Sequence, residues 1–319
     1  MYIEQAYKGL HEGWRYVLGV VAVFFGWQLI GAIPLMSALV IKNGIGSIAT
    51  TPNGMAKALG TNTFLFLMLL TFVFGLLFLY VFVKYVHKQT FNSLTTSRKT
   101  VDWKRILFSF FLWAIVSAAF IFIDIYSYPD DYILNFNFEK FIILALIGVI
   151  MIPIQTSMEE YFMRGYLMQG IGIVAKNKWM PLLITSLLFG LLHILNPEVQ
   201  KLGYGIMVFY IGTGLLLGIM TLMDEGLELA LGFHAANNLT AALLVTAEWT
   251  AFTTDSIYKD ISNPILGWDI LVPVFVVFPI LLFIFSKKYN WTNWKEKLFG
   301  SVMAKEEFLA LENENPSEI

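Results

Sequence analysis

Four polar residues interrupt apolar segments of membrane length: Glu159, His193, His234 and Asn238. One charged side chain at a bilayer centre costs about 3 kcal/mol on insertion scales, and such residues usually face a bundle interior or a water-filled cavity. A carboxylate, imidazoles and a carboxamide are together the groups that a hydrolase needs. Their types and positions therefore predict a hydrolytic site.

Amide hydrolysis inside a membrane needs a base for water, because bulk hydroxide is excluded, and Glu159 suits that task. The tetrahedral intermediate needs donors aimed at its negative charge, which the Asn238 amide and an imidazole N–H can supply. Losing one such donor typically costs about 3 kcal/mol of transition-state stabilisation.

Helical spacing sorts the polar residues of the first segment. Glu160 and Arg164 are four residues apart and can form an ion pair, whereas Glu159 is rotated by about 100° and is the freer carboxylate. Phe189, four residues before His193, is predicted to pack beside it and shape the pocket.

Later segments show the same four-residue spacing. His234 and Asn238 present an imidazole and an amide to one side of a helix, although Asn237 could take the place of Asn238. Gly214 and Gly218 form a pair of small residues that predicts a close helix contact.

A zinc site is the alternative to metal-independent catalysis. Glu159, His193 and His234 form a ligand set that catalytic zinc uses, with water at the fourth position. These ligands would come from three separate helices, and a glutamate that binds the metal leaves the water without a base. Metal-independent catalysis is therefore preferred, with no cofactor required.

Each residue alone also has a structural interpretation. Glu160 with Arg164 is most simply an ion pair, and an intramembrane His or Asn often only joins helices by hydrogen bonds. The joint spacing of the polar residues disfavours a purely structural interpretation of all of them.

Composition predicts a polytopic membrane protein with an all-α fold. The 319 residues are 57% hydrophobic and 14% charged, whereas soluble domains carry about 25% charged residues. A net charge of −2 argues against nucleic-acid binding, and the absence of cysteine excludes disulfides and a cysteine nucleophile.

Eight transmembrane helices are predicted at about 20 residues each. The first is too long for a signal peptide. Residues 1–303 should form a single membrane domain, followed by an acidic, disordered cytoplasmic tail at 304–319. The eight segments lie near 16–41, 63–86, 106–126, 141–158, 180–195, 205–223, 227–246 and 269–286.

The distribution of Lys and Arg predicts that both termini are cytoplasmic. With the N-terminus inside, 16 of these residues fall in inner segments and 5 in outer segments, as expected when basic residues concentrate in cytoplasmic loops.

Cooperation between the motifs requires similar depths in the membrane. Glu159 and His193 reach the same depth if the helix continues past Glu160 to about Lys176 and returns after Pro181. His234 then lies about 13 Å below its own end of the bundle. The site is expected in the cytoplasmic half of the membrane.

Three runs, EEYFMR from Glu159, FGLLH from Phe189 and HAANN from His234, resemble the ordered motifs of the CAAX protease and bacteriocin-processing family of intramembrane endopeptidases. That family includes the Ras-converting-enzyme type of CAAX prenyl protease. The resemblance covers about residues 140–246.

The resemblance implies an endopeptidase with Glu159 as general base. It further implies that His193 orients or activates water and that His234 and Asn238 stabilise the oxyanion. Glu160 and Arg164 match supporting positions.

The expected substrate is a peptide or protein that reaches the site from the cytoplasmic side. Membrane lipid surrounds the helices, and a lipid-modified substrate is one candidate. Prenylated CAAX proteins are not assumed, because no feature of the sequence recognises a prenyl group. A non-proteolytic scaffold or regulator of the same fold is the alternative, and a proton-coupled transporter is third because no inverted repeat is evident.

Overall fold

The protein is a bundle of helices with one small sheet, and the computed structural model describes residues 1–44 and 49–314. The prediction of an all-α membrane bundle is confirmed. The α-helices are α1 Gly13–Phe24, α2 Ile33–Asn43, α3 Pro52–Leu59, α4 Thr61–Val81, α5 Phe91–Thr95, α6 Trp103–Ser127, α7 Phe138–Glu160, α8 Met168–Ala175, α9 Trp179–Leu192, α10 Pro197–Leu202, α11 Met207–Asp224, α12 Glu228–Leu244, α13 Trp268–Val272, α14 Phe278–Lys288, α15 Trp294–Phe299 and α16 Lys305–Glu314.

Short segments of other helix types extend or join these helices. The 3₁₀ segments are Ile3–Lys8, Pro129–Asp131 and Tyr204–Ile206. The π-helical segments are Phe25–Ile30, Phe82–Val86, Tyr161–Leu167 and Pro273–Val277.

Six helices of the described residues, rather than the predicted eight, are long and apolar enough to cross a membrane. The other two predicted spans are helices α9 and α12, with 14 and 17 residues. A span of about 30 Å needs about 20 residues at 1.5 Å each, so both are short. The six long helices are Gly13–Asn43, Thr61–Val86, Trp103–Ser127, Phe138–Ala175, Tyr204–Asp224 and Ile270–Lys288.

The helix that carries Glu159 continues well beyond it, as predicted. Helix α7 passes through the π-helical segment Tyr161–Leu167 into α8, so the helix runs unbroken from Phe138 to Ala175. Lys176 ends it in a left-handed conformation, and the Asn177 side chain accepts a hydrogen bond from the backbone N–H of Met180 as α9 begins. The return of the chain through α9 brings His193 back to the depth of the site.

Helix α12 lies at the centre of the bundle, packed against α6 and α7, and α9 packs on α11. Glycines permit both close approaches. A Cβ at Gly232 would lie 2.1 Å from the carbonyl oxygen of Ile106, and one at Gly214 would lie 2.8 Å from that of Ser186. The predicted close helix contact at Gly214 and Gly218 is therefore confirmed, with α9 as the partner.

The small sheet lies where α6 and α12 end. Its strands are β1 Tyr132–Leu134, β2 Val245–Ala247 and β3 Tyr258–Asp260. Strand β3 is central: it pairs antiparallel with β1, Tyr132 opposite Asp260, and parallel with β2, Val245 opposite Tyr258.

The tail predicted to be disordered is instead helical in its described part, α16. The Phe308 side chain is fully buried, its ring centroid lies 6.2 Å from that of Tyr7, and Lys8 forms an ion pair with Glu312. Apolar residues within this acidic segment supply a face that packs on the segment Ile3–Lys8. Residues 315–319 lie outside the described residues, and the single membrane domain stays a prediction.

Candidate active site

Two adjacent carboxylates end helix α7 inside the bundle. Glu160 is fully buried and Glu159 is 9% exposed. The Glu160 Oε1 atom accepts hydrogen bonds from Arg164 Nη1 at 2.9 Å and from His234 Nδ1 at 2.8 Å. The predicted Glu160–Arg164 pair is thus present, and it also holds an imidazole from α12.

His234 lies between the two carboxylates. Its Nδ1 atom donates to Glu160, and its Nε2 atom lies 3.6 Å from Glu159 Oε2. Neighbouring residues of a helix point about 100° apart, so Glu159 and Glu160 can meet opposite edges of one ring. The structure therefore brings motifs from α7 and α12 together.

A glutamine one turn earlier holds the other oxygen of Glu159. Gln155 Nε2 donates to Glu159 Oε1 at 2.6 Å, and Asn238 Nδ2 donates to Gln155 Oε1 at 3.1 Å. Asn238 thus lies close to Glu159 through one intermediate side chain. Its amide has a second hydrogen that this bond does not use.

Arg164 lies in the π-helical segment and is fully buried. Its Nη2 atom donates to the carbonyl oxygen of Gly214 at 3.2 Å, and its guanidinium lies 4.4 Å from the centroid of the Phe189 ring. Arg164 therefore ties α9 and α11 to the carboxylates of α7.

His193 directly follows α9 and lies at the edge of the site. Its Nδ1 atom donates to the carbonyl oxygen of Phe189 at 2.7 Å, which leaves Nε2 as the free nitrogen. Its ring stacks on Tyr210 with centroids 4.4 Å apart and contacts Phe189 at 4.8 Å. The Phe189 ring also contacts the His234 ring, with centroids 5.7 Å apart, so it contacts both imidazoles.

Most of the predicted residues belong to one hydrogen-bonded cluster, and His193 does not. Glu159, Glu160, Arg164, His234 and Asn238 form one hydrogen-bonded cluster with Gln155. Within residues 1–44 and 49–314, His193 makes no direct hydrogen bond to that cluster, and its ring contacts Phe189, which also contacts the His234 ring.

Three buried polar atoms of the cluster have no hydrogen-bond partner among the described protein atoms: Glu159 Oε2, Glu160 Oε2 and Arg164 Nε. Buried polar groups in native proteins are nearly always hydrogen-bonded, to protein or to water. Their concentration at one place indicates a site that takes water or a polar substrate group.

The donor types suit zinc, but the arrangement is incomplete. His193 and His234 both donate through Nδ1, and this leaves Nε2 of a neutral ring able to bind a metal. In the part of the chain that the structure describes, no three His, Cys, Asp or Glu residues form a group that could hold a metal ion.

Two residues of the site escaped the sequence analysis. Gln155 is polar, lies in an apolar helix and precedes Glu159 by four residues, a spacing that could have identified it. Tyr210 had no such signal, because an aromatic residue in an apolar helix is usually only packed.

Comparisons with known proteins place these residues within a family. The family model described as type II CAAX prenyl endopeptidase Rce1-like matches residues 138–240, which contain all three motifs. The uncharacterized protein YyaK of Bacillus subtilis (strain 168) is 30% identical over 240 residues, which cover 75% of this chain and 80% of YyaK. No solved structure gives a significant match. The described part of the chain has six helices long and apolar enough to cross a membrane, and the chain belongs to the Rce1-like family, as its motifs predicted.

Proposed function

We propose that this protein is an intramembrane endopeptidase that hydrolyses a peptide bond near the cytoplasmic side of the membrane. One observation carries the proposal: a carboxylate with a free oxygen, an imidazole and a carboxamide from two helices meet in one buried cluster. Family membership supports the same class of reaction.

Glu159 is proposed as the general base. Its Oε1 atom is held by Gln155, so Oε2 is the oxygen left to accept a proton. The oxygen of water bonds to the substrate carbonyl carbon as one water proton passes to Oε2. When the carbon–nitrogen bond breaks, that proton moves to the leaving amine nitrogen.

His234 and Asn238 are proposed to stabilise the oxyanion. Because His234 Nδ1 bonds to Glu160, Nε2 is the ring nitrogen that faces Glu159 and the reacting carbonyl. The Asn238 amide keeps one hydrogen that its bond to Gln155 does not use, and this hydrogen can reach the oxyanion.

His193 is proposed to orient the water through its free Nε2 atom, because Nδ1 is engaged by the backbone. The Phe189 ring contacts both imidazoles and helps to hold them in position. Arg164 and Glu160 hold His234 in place.

The proposed substrate is a peptide or protein that approaches from the membrane or its cytoplasmic surface. A lipid-modified substrate fits a site enclosed by apolar helices, and both termini of the enzyme would be cytoplasmic, as the basic residues indicate. Metal-independent catalysis is proposed, and zinc is the alternative that the test below includes.

The test compares membranes that carry the wild-type protein or Glu159→Gln, which keeps the shape of the side chain but cannot accept the water proton. Mass spectrometry should find peptide fragments in wild-type membranes that decrease about 100-fold or more in the variant, the usual cost of losing a general base. Ser109→Ala, which removes a buried hydrogen bond to the Leu229 carbonyl away from the site, should leave the fragments unchanged.

Equal fragments in wild-type and Glu159→Gln membranes would overturn the proposal. A scaffold would keep its cellular effect in that variant, and a transporter would move solute in liposomes. Activity that disappears on chelation and returns with zinc would replace the metal-independent mechanism.

A further inference from the structure

A continuous chain of hydrogen bonds enters the site from helix α6. Trp113 Nε1 donates to Asn237 Oδ1 at 3.1 Å, and Asn237 Nδ2 donates to Asn238 Oδ1 at 3.1 Å. The chain continues from Asn238 to Gln155 at 3.1 Å and from Gln155 to Glu159 at 2.6 Å. It links α6, α12 and α7, and its two ends are chemically different.

Those ends set the direction of every bond. An indole N–H can only donate, and an ionised carboxylate can only accept. Trp113 therefore requires the oxygen of Asn237 to face it, which turns the amide nitrogen of Asn237 toward Asn238. The same reasoning passes through Asn238 and Gln155 to Glu159, so each amide has one permitted orientation.

We infer that Trp113, Asn237 and Gln155 are positioning residues that act as a directional relay on the proposed catalytic pair. The relay holds the Asn238 nitrogen toward the site and leaves one of its hydrogens for the oxyanion. At the other end it occupies Glu159 Oε1, so the proton of water must go to Oε2. The relay itself is inferred from the hydrogen bonds alone, whereas its effect on catalysis rests on the proposed function.

Burial supports this role. Trp113 and Gln155 are 5% and 3% exposed, so water cannot easily replace a lost partner. The Trp113 ring also stacks on Phe233 with centroids 4.5 Å apart, which fixes the direction of its N–H. Bonds in such a chain polarise one another, so a change at one end should be felt at the other.

The kinetic test uses Trp113→Phe, which keeps an aromatic ring against Phe233 and removes the N–H donor together with part of the ring volume. With a quenched fluorescent peptide that spans the cleavage site found above, kcat should fall about tenfold and KM should stay unchanged. Gln155→Met should lower kcat about 100-fold, because both amides lose their orientation.

Ser109→Ala is the matched control, because Ser109 lies one turn before Trp113 and also bonds α6 to α12. It should lower thermal stability through the loss of one buried hydrogen bond and leave kcat unchanged. A kcat for Trp113→Phe equal to that for Ser109→Ala would overturn the inference.

A spectroscopic test does not depend on catalysis. The chain has nine Trp residues, and the indole ¹H–¹⁵N resonance of Trp113 in micelles is identified as the one that Trp113→Phe removes. This resonance should shift in Gln155→Met and stay in place in Ser109→Ala. An unresponsive resonance overturns the relay whatever the kinetics. If the wild-type protein cleaves no peptide, the proposed function is wrong, and the response of this resonance still shows whether the relay is present.

Discussion

His234 is the residue on which the site depends most closely, because each of its nitrogens faces a different carboxylate. Its Nδ1 atom lies 2.8 Å from Glu160 Oε1 and its Nε2 atom 3.6 Å from Glu159 Oε2, so the two carboxylates fix the orientation of the ring. Glu160 and Arg164 are fully buried, and their ion pair contributes to the stability of the fold. The pair also affects catalysis, because Glu160 holds His234.

Glu160→Gln should separate these two effects. The variant leaves the Arg164 charge uncompensated, so we expect a loss of about 3–5 kcal/mol in the free energy of unfolding. The double variant Glu160→Gln with Arg164→Met removes that charge and should regain much of this stability. The rate of peptide cleavage should stay reduced about 100-fold in the single and the double variant, because the Nδ1 atom of His234 has lost the carboxylate of Glu160.

Thermal unfolding in detergent and peptide cleavage measure the two quantities separately. A double variant that recovers both stability and activity would show that Glu160 is only structural. The sequence indicated the Glu160–Arg164 pair through its four-residue spacing, but the bond to His234 spans 74 residues. Local spacing carries no information about such a contact.

At the scale of elements, helices α9 and α11 bring His193 and Tyr210 to the site. Their close packing at Gly214 sets the distance between them. Gly214→Ala should push these helices apart, because the new Cβ would meet backbone atoms of Ser186 at 2.8–2.9 Å. We expect a loss of about 1–3 kcal/mol in stability, the usual cost of overpacking, together with reduced cleavage.

Gly148→Ala is the control, since its Cβ would meet only the ends of side chains, the nearest being Leu239 Cδ1 at 3.1 Å, and a side-chain end can move. Equal stability and cleavage in the two variants would contradict the packing argument. The measurements are thermal unfolding and initial cleavage rates in the same detergent.

All eight segments read from hydrophobicity are helices, but two of them, α9 and α12, are shorter than a span. Hydropathy reports whether a segment can face lipid and is uninformative for a helix enclosed by others. Helix α12 is largely buried, and its residues Asn237 and His234 bond to side chains of α6 and α7. That distinction needs tertiary packing.

At the scale of the whole molecule, the distribution of charge predicts the orientation in the membrane. Of the Lys and Arg residues, 16 lie in segments assigned to the inside and 5 in those assigned to the outside. Such a bias predicts that the basic loops are cytoplasmic. With that orientation, we expect the proposed site to lie on the cytoplasmic side and substrates to enter from there.

Cysteine labelling tests this orientation, because the chain has no cysteine of its own. Asn263→Cys and Lys295→Cys replace exposed residues at opposite ends of the bundle. In right-side-out vesicles, an impermeant maleimide should label Asn263→Cys directly and Lys295→Cys only after permeabilisation. The reverse pattern would contradict the assignment.

Incorporation of ¹⁸O tests the central claim, that the buried cluster around Glu159 and His234 adds water to a peptide bond. Membranes are incubated in H₂¹⁸O, and the carboxyl ends of the new fragments are weighed by mass spectrometry. Fragments from wild-type membranes should carry one ¹⁸O atom at the new carboxyl end, and Glu159→Gln membranes should contain almost none of these fragments. Equal amounts of labelled fragments in both membranes would contradict the account.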